Sequence, residues 1–351
     1  METTLAELSQ SQDETRDENP EPAVSVATTA RLHFGFFDPS GRTARPFGSF
    51  GLSLDQPWTR LTLHRASETS VTGPEAERAA RYLATVAEAC GIDRTYRLDV
   101  AESIPSHAGL GSGTQLALAV GAAFGALEGL RLSAPEIAGI LGRGARSGIG
   151  IATFEAGGAV LDSGPYDGAL PQLVARVPFP EQWRTLLIFD PQSKGLDGAD
   201  EVAAFETAPA YSEDARAALE RRVLERALPA LQNESFDVFC EEVGYLQARM
   251  GDYFAPSQGG IFTSPRVGAV LEALRADGVT GLGQSSWGPT GFAFAVSETE
   301  AERLLAIAAE VAGVHDGGSA LELVIAKGRN EGAEITVSHL TSSNNLGATG
   351  V

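Results

Sequence analysis

Apolar residues fall in two rhythms along this chain. At first they recur at every second position or run together: at 24–26 continuing through 30–38, at 50–54, and at 59–65, where Leu61 and Leu63 alternate with Thr62 and His64. A period of two is that of a strand with one face covered, so three strands are expected. The period then lengthens to that of a helix over residues 75–90, with Ala79, Leu83, Val86 and Ala87 on one face and Gly91 as the stop. A short strand at 96–101 leads through 102–105 into a glycine-rich loop. Residues 115–130 then read as a helix that is apolar nearly all round, and such a helix belongs in a core. Ser133-Ala134-Pro135-Glu136 starts the next one, with Ser133 as N-cap and Glu136 three residues on.

Further strands are predicted at 173–177, 184–189, 291–296, 320–326 and 334–340, and helices at 215–231, 236–250, 267–277 and 298–312. There is no strict βα alternation and no internal repeat. The order predicts an α+β protein with a soft boundary near 180–200: a domain over 23–190 carrying the glycine loop, and a two-layer α+β domain over 191–340. Residues 1–22 hold seven acids against Arg16 alone. Such a stretch cannot bury enough apolar surface to offset its ordering entropy, so a disordered acidic tail is expected. Residues 341–351, small and polar, are expected to be a flexible tail.

Composition narrows the function classes. A net charge of −20, from 46 acidic and 26 basic residues, repels nucleic acid and anionic membranes, so neither is an expected partner. Cys90 and Cys240 are too few for a disulfide framework, and no Cys/His spacing matches a zinc site. No apolar run reaches the roughly 18 residues of a membrane span, and the polar, acidic N-terminus is no secretory signal. A cytoplasmic protein is expected.

The chemistry concentrates in four places. The first is the loop Ile104-Pro105-Ser106-His107-Ala108-Gly109-Leu110-Gly111-Ser112-Gly113-Thr114. Its glycines let the backbone approach a ligand, and Ser112 or Thr114 can cap a helix whose free N–H groups suit an anion. The Walker lysine and the Rossmann spacing are both missing. The second is the glycine-rich run at 142–162 with Arg143 and Arg146, residue types that grip phosphate or carboxylate bidentately, followed by Ser147. The third is Arg31 and His33, two apart on a strand and so on one face. The fourth is the loop at 281–291, where Gln284, Ser285, Ser286 and Trp287 could form a ligand wall, Trp287 stacking on a ring or sugar. Asp197, Asp200 and Glu201 offer oxygen ligands for Mg²⁺ with a diphosphate. Each feature also has a plain reading: a tight turn, solvated arginines, a structural histidine, a core tryptophan, a solvated acidic loop.

The loop with its apolar helix resembles the phosphate-binding motif of the GHMP kinase superfamily, in which a proline precedes Gly-Leu-Gly-Ser-Ser at a helix start. Gly113 stands at the second serine. Ser147-Gly148-Ile149-Gly150 is similar to the superfamily's Ser-Gly-Ile-Asp motif, but Gly150 replaces the aspartate that serves those kinases as catalytic base, and glycine cannot take a proton. One branch, the β-ribofuranosylaminobenzene 5′-phosphate synthases of methanopterin biosynthesis, is similar to this chain from about residue 28 to 340. The shared blocks are Ala30-Arg31-Leu32-His33-Phe34-Gly35, the glycine loop, 142–162 with Phe154-Glu155, and Gly283-Gln284-Ser285-Ser286-Trp287-Gly288-Pro289.

That resemblance implies a GHMP-kinase-like two-domain fold, with a ribosomal-protein-S5-like N-terminal domain holding a left-handed βαβ unit and a ferredoxin-like α/β-plait C-terminal domain. It implies a pentosyl transfer that joins phosphoribosyl pyrophosphate to 4-aminobenzoate, or another 4-substituted benzoate, with loss of pyrophosphate and CO₂. Gly109, Leu110, Gly111, Ser112, Gly113, Thr114 and Arg143 would bind phosphate, and Arg31, His33 and Arg146 would be catalytic. Ser147, Gln284, Ser285, Ser286 and Trp287 would bind substrate, and Asp197, Asp200 and Glu201 would hold Mg²⁺. No organic cofactor is expected, and the expected assembly is a homodimer. An ATP-dependent small-molecule kinase is the competing reading, and a non-catalytic nucleotide-binding regulator is a third.

Overall fold

The computed structural model describes residues 22–196, 198–313 and 320–339. The terminal tails and Asp197 therefore lie outside the described residues. Two long antiparallel strands, β1 (Pro22–Asp38) and β2 (Phe47–Arg65), form the spine of a seven-stranded sheet. The two strands expected at 50–54 and 59–65 are one. Thr29 pairs with Trp58 and Arg31 with Ser53, so four β2 residues bulge opposite Ala30 alone. Pro57, which cannot donate to a ladder, sits in that bulge, the place where a strand tolerates proline.

After β3 (Ser70–Thr72) the chain forms α1 (Ala76–Ala89), then β4 (Tyr96–Glu102), which lies parallel to β3 and antiparallel to β2. Next come α2 (Ser112–Leu127), α3 (Ala134–Ile140) and α4 (Ile149–Ala156), followed by β5 (Ala159–Asp162) on β2 and β6 (Leu173–Val177) on β5. As its sequence requires, α2 is buried on nearly every side. Leu116, Val120 and Phe124 pack between the sheet residues Val26, Leu63 and Leu98 and the helix residues Leu83 and Ile137.

The second sheet starts with β7 (Arg184–Phe189). It is followed by α5 (Gly198–Thr207), then by α6 (Glu213–Arg222), which runs through a π-helical turn, Val223–Ala227, into α7 (Leu228–Gln232). After α8 (Phe236–Gln258) and α9 (Pro265–Ala276) come β8 (Leu282–Gln284), β9 (Gly291–Ala295), α10 (Glu298–Ala312) and β10 (Glu322–Ala326). Strand order is β10-β7-β9-β8 with all neighbours antiparallel, the ferredoxin-like plait. A final strand, β11 (Glu334–His339), returns to the free edge of β1. A division at 190 therefore does not follow the sheets, since β7 opens the second and β11 closes the first.

Alternation along the plait explains how the halves join. Leu186, Ile188, Ala293 and Ala295 face α9 and α10. Leu187, Phe292 and Phe294 face the other way into a core shared with β1, where the Phe34 ring lies 5.6 and 5.8 Å from those of Phe292 and Phe294. One apolar core thus fixes the plait against β1, beside Arg31 and His33.

Candidate anion-binding cleft

Between β4 and α2, Gly109 and Gly111 adopt φ of +77° and +82°. Glycine enters this region freely, and other residues do so at a cost of about 1–2 kcal/mol. At Gly109 space also demands glycine, because a Cβ would lie 2.2 Å from the Ser285 carbonyl oxygen; at Gly111 a Cβ would press on the Arg31 guanidinium at 3.2 Å. Gly111, not Ser112 or Thr114, is the N-cap of α2, and no side chain caps the helix. The amides of Thr114 and Gln115 close onto the Gly111 carbonyl. Those of Ser112 and Gly113 have no acceptor within the helix, and both residues line a cleft. The Leu110 side chain is in the core, and its carbonyl accepts the Arg31 amide at 3.1 Å.

The cleft has two connected compartments, of about 430 and 210 Å³, which share Arg31, Thr114, Arg143, Glu201 and Ser286 as walls. Arg78 lines the larger, and Arg146, His33, Phe36, Ser147 and Gly150 the smaller. In a protein of net charge −20, four arginines converge here. Arg31 donates through Nη1 to the Gly109 carbonyl at 2.7 Å, and its buried Nε has no partner. Burial pulls its pKa down to about 10, against the attraction of Glu201, so it remains a cation at neutral pH. Arg143 donates to the Tyr82 hydroxyl, and its Nε is likewise buried without a partner. Arg78 pairs with Glu75 at 3.2 Å. Arg146 pairs with Glu201 at 3.1 Å and lies 4.4 Å from the Phe205 ring centre. An unsatisfied buried donor costs about 1–3 kcal/mol, and the two guanidinium groups that carry these orphaned nitrogens both line the cleft. Two grooves of about 520 and 550 Å³ flank residues 278–280, but neither contains a glycine loop at a helix start.

Arg31 and His33 lie between two breaks in the β1–β2 pairing, the β2 bulge opposite Ala30 and a β1 bulge at Phe34, and both residues line the cleft. The His33 backbone N–H donates to Ser285 Oγ at 3.0 Å and its carbonyl accepts the Ser286 amide at 3.1 Å. The ring packs against Phe36 at 4.6 Å with the planes tilted by 56°, is 3 % exposed, and has no partner at Nε2. Burial, then the Arg31 charge, lowers its pKa to about 3, so the imidazole is neutral at any ordinary pH.

Several sequence candidates turn out to be held by the protein itself. Ser147 donates to Asp162 Oδ2 at 3.2 Å, and the same carboxylate accepts the Gly148 amide at 2.8 Å and the Ser49 hydroxyl. Gln284 accepts the Thr263 amide at 2.7 Å and donates to the Ser286 carbonyl at 3.2 Å. Ser285 is fully buried and ties β1 to the loop by donating to the Gly109 carbonyl at 2.8 Å. Trp287 packs in the core against Phe254 and Phe205, with ring centres 4.4 and 5.4 Å away. Ser286 alone of this group is exposed, and it borders both compartments. The acidic run at 195–201 is partly helical: Asp200 and Glu201 lie in the first turn of α5, Asp200 exposed and Glu201 facing the cleft.

At Gly150, in the first turn of α4, a Cβ would lie 2.9 Å from Thr114 Cγ2. The kinase aspartate position is therefore occupied by packing as well as lacking its carboxylate. The residues that sequence reasoning missed are Arg78, Tyr82 and Asp162. Arg78 and Tyr82 look like ordinary positions of an amphipathic helix, and no local motif distinguishes them.

The model named GHMP kinases N terminal domain matches residues 76–158, from α1 to the turn before β5, and GHMP kinases C terminal matches 227–312. The β-ribofuranosylphenol 5′-phosphate synthase of Archaeoglobus fulgidus is 32% identical over 337 residues, which is 90% of this chain and 100% of that protein. The chain belongs to that synthase family. The synthase of the same name from Methanothermobacter thermautotrophicus is 28% identical over 332 residues, 88% of this chain and 97% of its own. Among solved structures, homoserine kinase from Cytophaga hutchinsonii superposes with a TM-score of 0.64 at 17% identity, over 94% of this chain and 100% of that one. At that identity the likeness shows the fold alone. The synthase family thus uses a GHMP kinase fold, and this member carries Gly150 where the kinase motif has aspartate.

Proposed function

We propose that this chain is a decarboxylating, phosphoribosyltransferase-type C-riboside synthase. It condenses phosphoribosyl pyrophosphate with a 4-substituted benzoate to give a ribosyl-arene 5′-phosphate, pyrophosphate and CO₂. The names of the relatives specify a phenol product, which corresponds to 4-hydroxybenzoate; 4-aminobenzoate is the related acceptor expected from the sequence. The observation that carries this reading is a complete anion cradle with glycine at the kinase base position. Phosphoryl transfer to an alcohol wants a base there, whereas this condensation needs none.

As the C1–O bond to the diphosphate breaks, positive charge grows at ribose C1 and negative charge on the leaving oxygens. The Ser112 and Gly113 amides, with Arg31, Arg78 and Arg143, line one compartment and would stabilise that negative charge. The ring carbon bearing the carboxylate forms the new bond to C1. The C–CO₂ bond then breaks and its electron pair restores aromaticity, so no protein group has to move a proton. Arg31 or Arg146 would orient the benzoate carboxylate before it leaves.

Mg²⁺ at such sites is bound by one or two carboxylates together with substrate phosphates. Glu201 borders both compartments, while no group of three or more His, Cys, Asp or Glu converges among the described residues. That donor set suits an ion carried in by the diphosphate, with Glu201 to hold it, and the ion would supply charge neutralisation of the leaving group.

The test is an incubation with phosphoribosyl pyrophosphate, Mg²⁺ and either benzoate, expected to release CO₂ and pyrophosphate in equal amounts. ADP formed from ATP only when an alcohol acceptor is present, with no CO₂ in the first assay, would replace this reading with the kinase. Tight ligand binding with no product in either assay would indicate a regulator.

A further inference from the structure

The four arginines of the cleft have their charges met in different ways. Arg78 and Arg146 each have a carboxylate, Glu75 at 3.2 Å and Glu201 at 3.1 Å, and Arg31 donates to the Gly109 carbonyl. Arg143 has no carboxylate partner among the described residues. Its Nη2 donates to the Tyr82 hydroxyl, and its guanidinium carbon lies 5.2 Å from the Tyr82 ring centre. Arg78 stands close by, because a Cβ on Gly113 would lie 3.7 Å from Nη1 of both arginines. Neighbouring cations repel, and a long side chain without a restraint gains rotamer freedom by swinging away.

Tyr82 supplies the restraint. It comes from α1, is 6 % exposed, and packs in the core that also holds Leu83, Val86 and the α3 residue Ile137. The end of α3 fixes the Arg143 backbone separately: Gly142 takes a φ of +63°, and the Arg143 amide donates to the Ala138 carbonyl at 2.7 Å. The side chain is thus held at its root by α3 and at its tip by α1. A phenol does at the tip what a carboxylate would not, since it accepts the N–H and leaves the positive charge uncancelled. Tyr82 itself lines neither compartment, whereas Arg143 lines both.

We infer that Tyr82 is a positioning residue, which aims Arg143 with its charge uncancelled at a diphosphate over the start of α2. The inference rests on the anion-binding half of the synthase reading. It needs a diphosphate in the larger compartment and makes no demand on the benzoate.

The test is a double-mutant cycle on Tyr82→Phe and Arg143→Ala, read by calorimetric titration with inorganic pyrophosphate and by the KM for each substrate. Tyr82→Phe keeps the ring in the core and removes only the acceptor. It should weaken pyrophosphate binding and raise the KM for phosphoribosyl pyrophosphate, each by about tenfold, with the KM for the benzoate within about twofold of wild type. With Arg143 already replaced by alanine, the same change should alter pyrophosphate affinity by less than about twofold. A merely structural role would weaken binding by the same factor in both backgrounds, and that result overturns the inference. So does a Tyr82→Phe enzyme that binds pyrophosphate as tightly as wild type, or a wild-type enzyme that does not bind it. Wild-type enzyme that binds pyrophosphate but releases no CO₂ with either benzoate removes the synthase reading and leaves the inference standing.

Discussion

Helices α2 and α4 lie against the same sheet, both are buried and apolar on nearly every face, and both start at a glycine. Their N-termini are finished in opposite ways. At α4 the protein supplies its own acceptors: Asp162, 2 % exposed, accepts the Gly148 amide, and Ser147 Oγ accepts the Ile149 amide at 3.3 Å. At α2 no side chain caps the helix, and arginines ring the end. Both ends carry the positive pole of a helix dipole. One is closed from within, and the other opens on the cleft where, on the proposed reading, the diphosphate binds. The difference separates a closed N-terminus from an open one more sharply than glycine content, which is high in both.

The comparison can be broken most forcefully by giving α2 what α4 already has. Gly113 lies within the first turn, and a Cβ there meets only the Arg143 and Arg78 guanidinium groups at 3.7 Å. Gly113→Asp should therefore fit, and it should gain from the dipole and two cations. Thermal unfolding should move to higher temperature. Affinity for phosphoribosyl pyrophosphate should fall roughly a thousandfold, because the new carboxylate takes contacts worth about 1.5–3 kcal/mol each. A variant that is stabilised and still turns over normally would mean the substrate diphosphate binds elsewhere.

The reverse change opens α4. Asp162 takes donors from Ser49, Ser147, Gly148 and Gly164, and burial raises its pKa even so. Asp162→Asn keeps the shape but turns an NH₂ toward some of those donors, so about 3 kcal/mol of stability should be lost in denaturant titrations. Loss of activity should track loss of folding, because Asp162 meets no substrate. A well-folded variant with weakened substrate binding would show instead that Asp162 holds the Arg143–Ser147 segment in register for the cleft.

This pair also shows what a sequence can and cannot disclose. The loop at 109–113 was legible because a glycine spacing before an apolar helix has few other uses, and Arg31 and His33 were legible because alternate strand positions share a face. The plait was legible through its periods, and its first strand was assigned to the wrong half because nothing local says which sheet a strand joins. Ser147, Gln284, Ser285 and Trp287 carry the right chemistry, yet their polar or aromatic groups are engaged by residues tens to hundreds of positions away. Arg78 was invisible for the converse reason: it reaches the cleft only because α1 packs beside α2. Asp162 closes α4 from a strand fourteen residues on, and no capping motif spans that gap.

Helix α3 supplies the calibration between the two. Its N-terminus has the full capping box that the sequence announced, with the Ser133 amide donating to Glu136 Oε2 at 2.8 Å and the Glu136 amide to Ser133 Oγ at 3.4 Å. This cap is exposed and lines neither compartment, so Ser133→Ala should cost about 1 kcal/mol, a shift of roughly 2–4 °C in Tm, with kcat/KM unchanged. Activity is the more informative reading. The other end of α3 carries the Ala138 carbonyl, which accepts the Arg143 amide at 2.7 Å. If loosening the cap lowered affinity for phosphate as well as Tm, α3 would be acting as a rigid rod that sets Arg143 against the open end of α2, and the line between closed and open N-termini would have to be drawn around the pair.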